Sequence, residues 1–221
     1  MKKILNILKN PKVKMVIILS FLLFIYTTIC ALSYAQIVGQ DIANSVFRLH
    51  VLANSDTEED QYLKYIVRDN LLEYMNEICK DTTNKEDVVK IVEQSKDNFK
   101  EIALKTIKEQ GYSYDINISI GNFEFPTKNY GDISLPSGIY DALRVEIGES
   151  KGQNWWCVMF PPLCFVDISS GIVPDESKEL MEDSLSEEEF ALVSDNESTE
   201  IKFKFKILEF FNNTGLITAK K

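Results

Sequence analysis

A chain of 221 residues with 34 acidic and 24 basic side chains is long enough for one domain beyond a terminal segment. Five of the basic side chains are lysines among residues 1–14, so the remainder carries 19 basic against 34 acidic residues, a formal charge of −15. Such a surface repels phosphate groups, and the chain has only three arginines, Arg48, Arg68 and Arg144. The composition therefore argues against binding of nucleic acid or anionic lipid headgroups.

The first predicted element is a membrane-crossing helix behind a basic segment. No charged side chain occurs over residues 15–40, and about twenty such residues cross the hydrocarbon of a bilayer as a helix. The lysines of residues 1–14 predict a cytoplasmic N-terminus, with everything after Gly39 outside. Residues 15–36 fit two interpretations equally. They are a signal peptide that signal peptidase cleaves after Ala35, or an anchor that is retained in the membrane.

The extracytoplasmic domain predicted over residues 41–174 begins with a strand and two helices. Residues 45–53 alternate as in a strand, and the first helix continues to about Cys79. A capping-box pattern at residues 83–86 opens a second helix, which Gly111 closes. The polar residues that end the strand and offer an N-cap to the first helix are Asn54, Ser55 and Asp56.

The second half of this domain changes from helical to strand periodicity. Residues 116–120 alternate as a half-buried strand. Two further strands are predicted at residues 142–147 and 154–160, and the glycine-bounded residues 148–152 between them predict a hairpin.

The C-terminal part of the chain begins with an acidic stretch. Residues 175–200 hold eleven acids and one lysine, which predicts a mobile surface segment with at most a short helix around residues 185–193. Residues 201–221 are predicted to form a closing strand and a tail. The predicted fold class is therefore α+β: the membrane helix, then one domain with a strand, two helices and a mainly antiparallel sheet.

Two cysteines lie close together in the sequence. Cys157 and Cys164 flank a turn with two prolines, which would set them at a Cα separation that a disulfide tolerates. Closing so short a loop would stabilise the fold by about 2–3 kcal/mol. Two buried free thiols are the equal alternative, and Cys79 is expected to be unpaired on a helix.

The residue types do not assemble a recognisable catalytic, cofactor or metal site. His50 is the single histidine, and a structural role for it is favoured over a catalytic one. No histidine and cysteine cluster with zinc spacing occurs, nor does a glycine loop for phosphate. The chain is predicted to be neither an enzyme nor a binder of a small-molecule substrate.

Adjacent tryptophans suggest a protein-docking surface instead. Trp155 and Trp156 lie in a predicted strand, so their side chains point to opposite faces, one toward the core and one outward. The outward ring is a docking candidate, or the acidic segment or the tail covers it. Helix capping is the favoured role of residues 54–56. The candidate partner-binding residues are His50, Asn54, Ser55, Asp56, Trp155 and Trp156.

Three blocks of sequence carry a family resemblance. They are residues 48–69, which open with RLHVLANSD, residues 125–145, and residues 152–165, which read GQNWWCVMFPPLCF. The range from Arg48 to Phe165 over which they are distributed is just over half of the chain, and the last block is highly specific. In these blocks the chain resembles the stage II sporulation protein R family.

The resemblance implies an exported signalling role in endospore-forming bacteria. A protein of this kind is made in the forespore and delivered into the space between the two membranes around it. There it would activate a membrane-embedded aspartic protease of the mother cell, which matures the precursor of a sigma factor. The resemblance implies no catalytic residue. A cell-wall hydrolase and a passive envelope scaffold are the alternatives.

Overall fold

The chain opens with helix α1, Pro11–Ser45, in the computed structural model, which describes residues 10–164 and 173–194. Over the described ranges α1 is the one helix long and apolar enough to cross a membrane, and apolar side chains such as Leu23 and Phe24 are exposed on it. Both features are compatible with a signal sequence or an anchor.

Two compact units divide the chain, one ending at Val38 and one beginning at Gly39. The last turns of α1 belong to the second unit, where Ile42 is buried. The Lys85 ammonium donates a hydrogen bond to the Ala43 carbonyl at 2.9 Å and forms an ion pair with Asp141 at 2.6 Å. Residues 39–45 are thereby packed within the second unit.

The domain is built on a mixed, mainly antiparallel sheet. Its four strands are β1 Phe47–Leu52, β2 Ile116–Phe125, β5 Gly138–Ile147 and β6 Asn154–Phe160. They lie in the order β2–β5–β1–β6. β1 runs parallel to β5 and antiparallel to β6, and β2 pairs antiparallel with β5. Between β2 and β5, the chain forms a separate small hairpin of β3 Lys128–Tyr130 and β4 Ile133–Leu135.

The predicted hairpin between residues 142–147 and 154–160 is wrong, because β1 lies between those two strands. Leu49 pairs with Leu143 on one side and with Cys157 on the other. The connection after β5 crosses the end of β1, a gap of about 10 Å that a few extended residues can span. A hairpin and a crossover can both use a short connection bounded by glycines, so the sequence pattern does not distinguish them.

Three helices pack on one face of the sheet: α2 Glu58–Cys79, α3 Lys85–Gln94 and α4 Lys96–Glu109. The predicted second helix is thus two, separated at Ser95. The Ser95 N–H donates to the Ile91 carbonyl at 2.9 Å, and its carbonyl accepts from the Phe99 N–H at 3.0 Å. Because this break satisfies backbone groups on both sides, the chain can change direction there. The core between these helices and the sheet includes Leu49, Val67, Leu71, Val92, Phe99, Ala103, Ile118, Leu143, Val145 and Cys157.

The helix ends differ in detail from the predicted caps. Thr57, and not the three residues before it, caps α2 by accepting from the Asp60 N–H at 3.3 Å. Asn84 caps α3 by accepting from the Asp87 N–H at 2.9 Å. Gly111 ends α4 as predicted, with a φ of 83° that favours glycine.

The described part of the acidic segment is helical, where the sequence predicts a mobile stretch with one short helix. Helices α5, Asp175–Ser184, and α6, Glu187–Ser194, form there. Met181 and Val193 are buried, so each helix packs an apolar side chain against the domain. The predicted closing strand and tail, residues 201–221, lie outside the described residues.

The crossover after β5 depends on Gly152. A Cβ at this position would overlap the Ser55 carbonyl oxygen and lie 2.6 Å from the Ser55 carbonyl carbon. We expect Gly152→Ala to lower the free energy of unfolding by about 1–3 kcal/mol. The measurement is urea unfolding of the full chain in detergent micelles, followed by tryptophan fluorescence.

The matched control for that variant is Gly121→Ala in β2. A Cβ there meets nothing within 4 Å, so the free energy of unfolding should stay within about 0.5 kcal/mol of the parent or rise slightly. Equal destabilisation by the two variants would contradict the close approach at Gly152.

Candidate functional site

The corner between β1 and α2 holds the crossover after β5 in place. The Asn54 side-chain oxygen accepts from the Glu149 N–H at 2.9 Å, and the Asn54 carbonyl accepts from the Lys151 N–H at 3.1 Å. The Asp56 carboxylate accepts from the Gln153 N–H at 2.7 Å. These candidate partner-binding residues are therefore engaged inside the domain, and their contact with a partner remains a prediction.

Asp60 completes this corner from the first turn of α2. Its carboxylate accepts hydrogen bonds from the Asn54 amide at 2.8 Å and from the Ser55 hydroxyl. Burial alone would raise the pKa of Asp60, but the hydrogen bonds from Ser55, Asn54 and Tyr114 together outweigh it and lower that pKa. Ser55, the third candidate partner-binding residue of the corner, thus donates a hydrogen bond to a buried carboxylate.

Trp155 and Trp156 point to opposite faces of the sheet, as predicted from strand geometry. Trp155 pairs with Val51 on the face that carries the helices, where its ring contacts the Tyr65 ring at 5.5 Å and the Arg68 guanidinium lies 4.2 Å above it. Trp156 pairs with His50 on the opposite side. Both rings are half-buried, so neither is a pure core residue nor fully exposed.

We call the face of the sheet opposite α2–α4 the outer face. It brings residues from four strands into register, and one row across it consists of Ser119, Arg144, His50 and Trp156. The β3–β4 hairpin covers part of this face: the Lys128 ammonium lies 4.9 Å above the Trp156 ring, and the Tyr130 hydroxyl donates to the Trp156 carbonyl at 3.4 Å. Over the described residues this hairpin, and not the acidic segment, supplies the partial cover of Trp156.

His50 lies in the middle of the outer face and is 8% exposed. Its ring stacks on Trp156 at 5.5 Å, and its Nε2 lies 2.8 Å from the Asn154 side-chain oxygen. Burial lowers the pKa of His50, and the charges of Arg144 and Arg48 lower it further. The imidazole is thus buried, held at Nε2 by a carboxamide oxygen and stacked on an indole, and these contacts pack it into the outer face.

Arg48 is fully buried beneath the hairpin, with 0% exposure. Its guanidinium lies 4.1 Å from the Phe125 ring centre and 4.6 Å from that of Tyr140, and Nη2 donates to the Tyr130 hydroxyl at 2.7 Å. Arg68 pairs with Asp69 and Arg144 with Glu146, whereas Arg48 has aromatic and phenolic partners.

Sequence reasoning missed three members of the outer face, Phe123, Lys128 and Arg144. Strand register across the sheet joins Phe123 and Arg144 to His50 and Trp156, and the β3–β4 hairpin carries Lys128 over the Trp156 ring. The nearest signal was the alternation in β5, which places Arg144 on the face opposite Val145. Within the described ranges no group of three or more histidine, cysteine or acidic residues could hold a metal ion.

Cys157 and Cys164 form a disulfide with a Cα separation of 5.3 Å. Of the two alternatives that the sequence left open, a disulfide and two free thiols, the structure has the disulfide. The bond ties β6 to the turn that follows it. Cys79 is a free thiol on α2, and burial raises its pKa to about 11.

The buried state of His50 makes the stability of the domain depend on pH. Below about pH 6.5 the unfolded chain binds a proton on this histidine that the folded domain does not, because the folded-state pKa is lowered. We expect the free energy of unfolding to decrease as the pH is lowered through that range, by at most about 1.4 kcal/mol per pH unit. Urea unfolding at about pH 7.5 and about pH 5.5 measures this. His50→Gln should remove this part of the dependence, and an unchanged dependence would contradict it.

The disulfide predicts a specific response to reduction. Replacing both Cys157 and Cys164 by serine should lower the free energy of unfolding by about 2–3 kcal/mol, the chain-entropy effect of so short a loop. Dithiothreitol should lower the stability of the parent chain to a similar value and leave the double variant unchanged. Cys79→Ser is the control, since it should keep the sensitivity to reductant. A parent chain equally stable with and without reductant would contradict the bond.

Comparison with known proteins places these elements in a family. The family model for stage II sporulation protein R matches residues 43–170, which include β1 to β6. The chain is 36% identical over 176 residues, which is 73% of this chain and 79% of the relative, to "Stage II sporulation protein R" of Bacillus subtilis (strain 168). No solved structure matches. The outer face and the disulfide both lie within the matched region, and the chain belongs to the stage II sporulation protein R family.

Proposed function

We propose that this chain is an exported sporulation signal that activates a membrane-embedded aspartic protease of the mother cell, so that the protease matures the precursor of a sigma factor. Its membership of the family gives it a role in sporulation. The observation that carries the finer proposal is the apolar helix α1 at the start of such a chain, because a domain that follows a membrane-crossing segment can signal across an envelope.

The location follows from the charge pattern around α1. Lysines precede the apolar stretch and an acidic domain follows it, which favours a domain outside the cytoplasm of the cell that makes it. In the sporulating cell this is the space between the two membranes around the forespore. The domain is either released by signal peptidase or held there by α1.

A binding role is favoured over a catalytic one by what the candidate residues contact. The corner residues Asn54 and Asp56 bind backbone N–H groups, and His50 contacts a carboxamide and an indole. These contacts hold the side chains and the backbone in position, and we assign no proton transfer to any of them. The half-buried Trp156 beside cationic side chains has instead the character of a protein-binding surface.

The proposal predicts the behaviour of sporulating cells that lack this protein. Processing of the sigma precursor, followed by immunoblot, should stop, and the full chain expressed in the forespore should restore it. His50→Gln should restore processing nearly as well as the parent, while Trp156→Ala should slow it about tenfold, as expected for a central aromatic contact. Trp155→Phe is the matched control on the other face, and all variants are compared at equal levels of exported protein.

Two results would overturn the proposal. Cells without the protein that process the precursor on schedule would indicate a passive scaffold. Turnover of peptidoglycan by the purified full chain, abolished by a single carboxylate change, would indicate a wall hydrolase.

A further inference from the structure

We infer that the outer face binds an acidic segment of the protein partner, with Arg144 and Lys128 as the cations and Phe123 and Trp156 as the apolar contacts. The inference rests on the proposed function in one respect, that the chain acts by binding another protein. It adds the surface used and the chemistry of the segment that this surface recognises.

The first support is a set of N–H groups that lack acceptors. Buried polar groups in folded proteins are nearly always hydrogen-bonded. Within the described residues no hydrogen-bond partner is found for Arg48 Nε and Nη1, His50 Nδ1, Arg144 Nε, Trp155 Nε1 and Trp156 Nε1. All of these except Trp155 Nε1 are on side chains of the outer face, on three adjacent strands. Of these outer-face side chains only Arg144 and Trp156 are half-buried and within reach of a partner. A carboxylate is their natural complement, because it only accepts hydrogen bonds and presents two oxygens.

The second support is the local sign of charge. The charged side chains of the sheet itself on the outer face are the cations Arg48 and Arg144 and one anion, Glu146, which pairs with Arg144 at 2.9 Å. The covering hairpin adds Lys128 over the Trp156 ring, and the anion in its turn, Asp132, is paired with Lys178. The rest of the domain is strongly acidic. A positive patch on a negative molecule attracts a short acidic segment and repels a long polyanion such as nucleic acid. Arg48 is fully buried, so it contributes its charge from below and makes no direct contact.

The third support is that the surface is accessible and already ordered. Phe123, Lys128, Arg144 and Trp156 are each half-buried. The Arg144 guanidinium lies 5.4 Å from the Phe123 ring centre, and the Lys128 ammonium lies 4.9 Å from that of Trp156. Cations held against rings lose little side-chain entropy when they bind a carboxylate.

The face also has room for a ligand beside Arg144. Gly121 lies on β2 opposite Ala142, the outer-face residue that precedes Arg144 on β5. A Cβ added at Gly121 meets no heavy atom within 4 Å. Gly121, which is itself half-buried, therefore leaves open space over β2 beside Phe123, where the backbone or a side chain of a partner fits.

Photocrosslinking in sporulating cells tests which segment occupies this face. The photoreactive amino acid p-benzoylphenylalanine replaces Phe123 in the full chain, a change from one aromatic side chain to another, and the crosslinked peptide is identified by mass spectrometry. We expect a peptide of a different protein, with two or more aspartates or glutamates next to the crosslinked residue. The same probe at Leu104, an exposed residue of α4, should not give this peptide.

Charge and steric variants test how the segment is held. Arg144→Glu should reduce the crosslink yield about tenfold, as expected for reversal of a close charge pair, and Arg144→Lys should keep most of it. Gly121→Val, which fills the open space with a residue that strands favour, should also reduce the yield. Lys105→Glu on exposed α4 is the matched control, expected to be without effect. Equal export and resistance to proteolysis show that each variant is folded.

Four results would overturn the inference. They are a crosslink to residues 195–221 of the same chain, a crosslink to a second copy, a partner peptide without acidic residues, and a yield that Arg144→Glu does not change. These outcomes are separable from failure of the proposed function. If cells without the protein process the sigma precursor normally, the proposed function fails. If they do not, and Arg144→Glu restores processing fully, only the acidic-segment inference fails.

Discussion

The insertion of β1 between β5 and β6 is the constraint on which the rest of the domain depends. All six residues of this strand are buried, because it has neighbours on both edges and is covered on both faces. Phe47, Leu49 and Val51 pack against the helices. Because side chains alternate along a strand, Arg48 and His50 must lie on the outer face. The same insertion forces the connection after β5 to cross the end of β1, where Asn54 and Asp56 bind its backbone. The corner and the outer face are therefore consequences of one strand position.

Burying Arg48 without an acidic partner among the described residues costs free energy. The aromatic side chains around its guanidinium offset this cost only partly. Two ring faces and the Tyr130 hydroxyl contact its guanidinium, and cation–π contacts are worth about 0.5–2 kcal/mol each. Desolvating a charge costs several kcal/mol, and a well-packed apolar side chain in its place is often neutral or stabilising. Stability alone therefore gives no reason for an arginine here. A fixed positive charge under the row that contains Trp156 gives one, because it makes that face attractive to carboxylates.

The sequence predicted well what depends on neighbours in the chain and poorly what depends on strand register. Periodicity and turn residues placed β1, α2, β6 and the end of α4 at Gly111 close to their observed positions. The order of strands could not be predicted, since nothing local distinguishes a hairpin from a crossover. For the site, strand geometry separated Trp155 from Trp156 correctly. The row that joins Trp156 to Arg144 through His50 requires residues far apart in the sequence to be in register. The contact of Trp156 with Lys128 requires the β3–β4 hairpin to fold over the sheet, and no pattern in a single sequence specifies either.

The net negative charge of the domain and the positive charge of its outer face act together in the proposed role. Anionic lipid headgroups repel a domain carrying a large negative charge, so non-specific adsorption to either membrane of the proposed compartment is disfavoured. The same charge repels other acidic proteins, except where Arg144 and Lys128 locally reverse the field. Over about 8–10 Å, the screening length at physiological salt, the partner senses that local sign more than the net charge. Specificity then follows from a difference between two interactions: the proposed acidic segment is attracted at the outer face and repelled by the net negative charge of the rest of the domain.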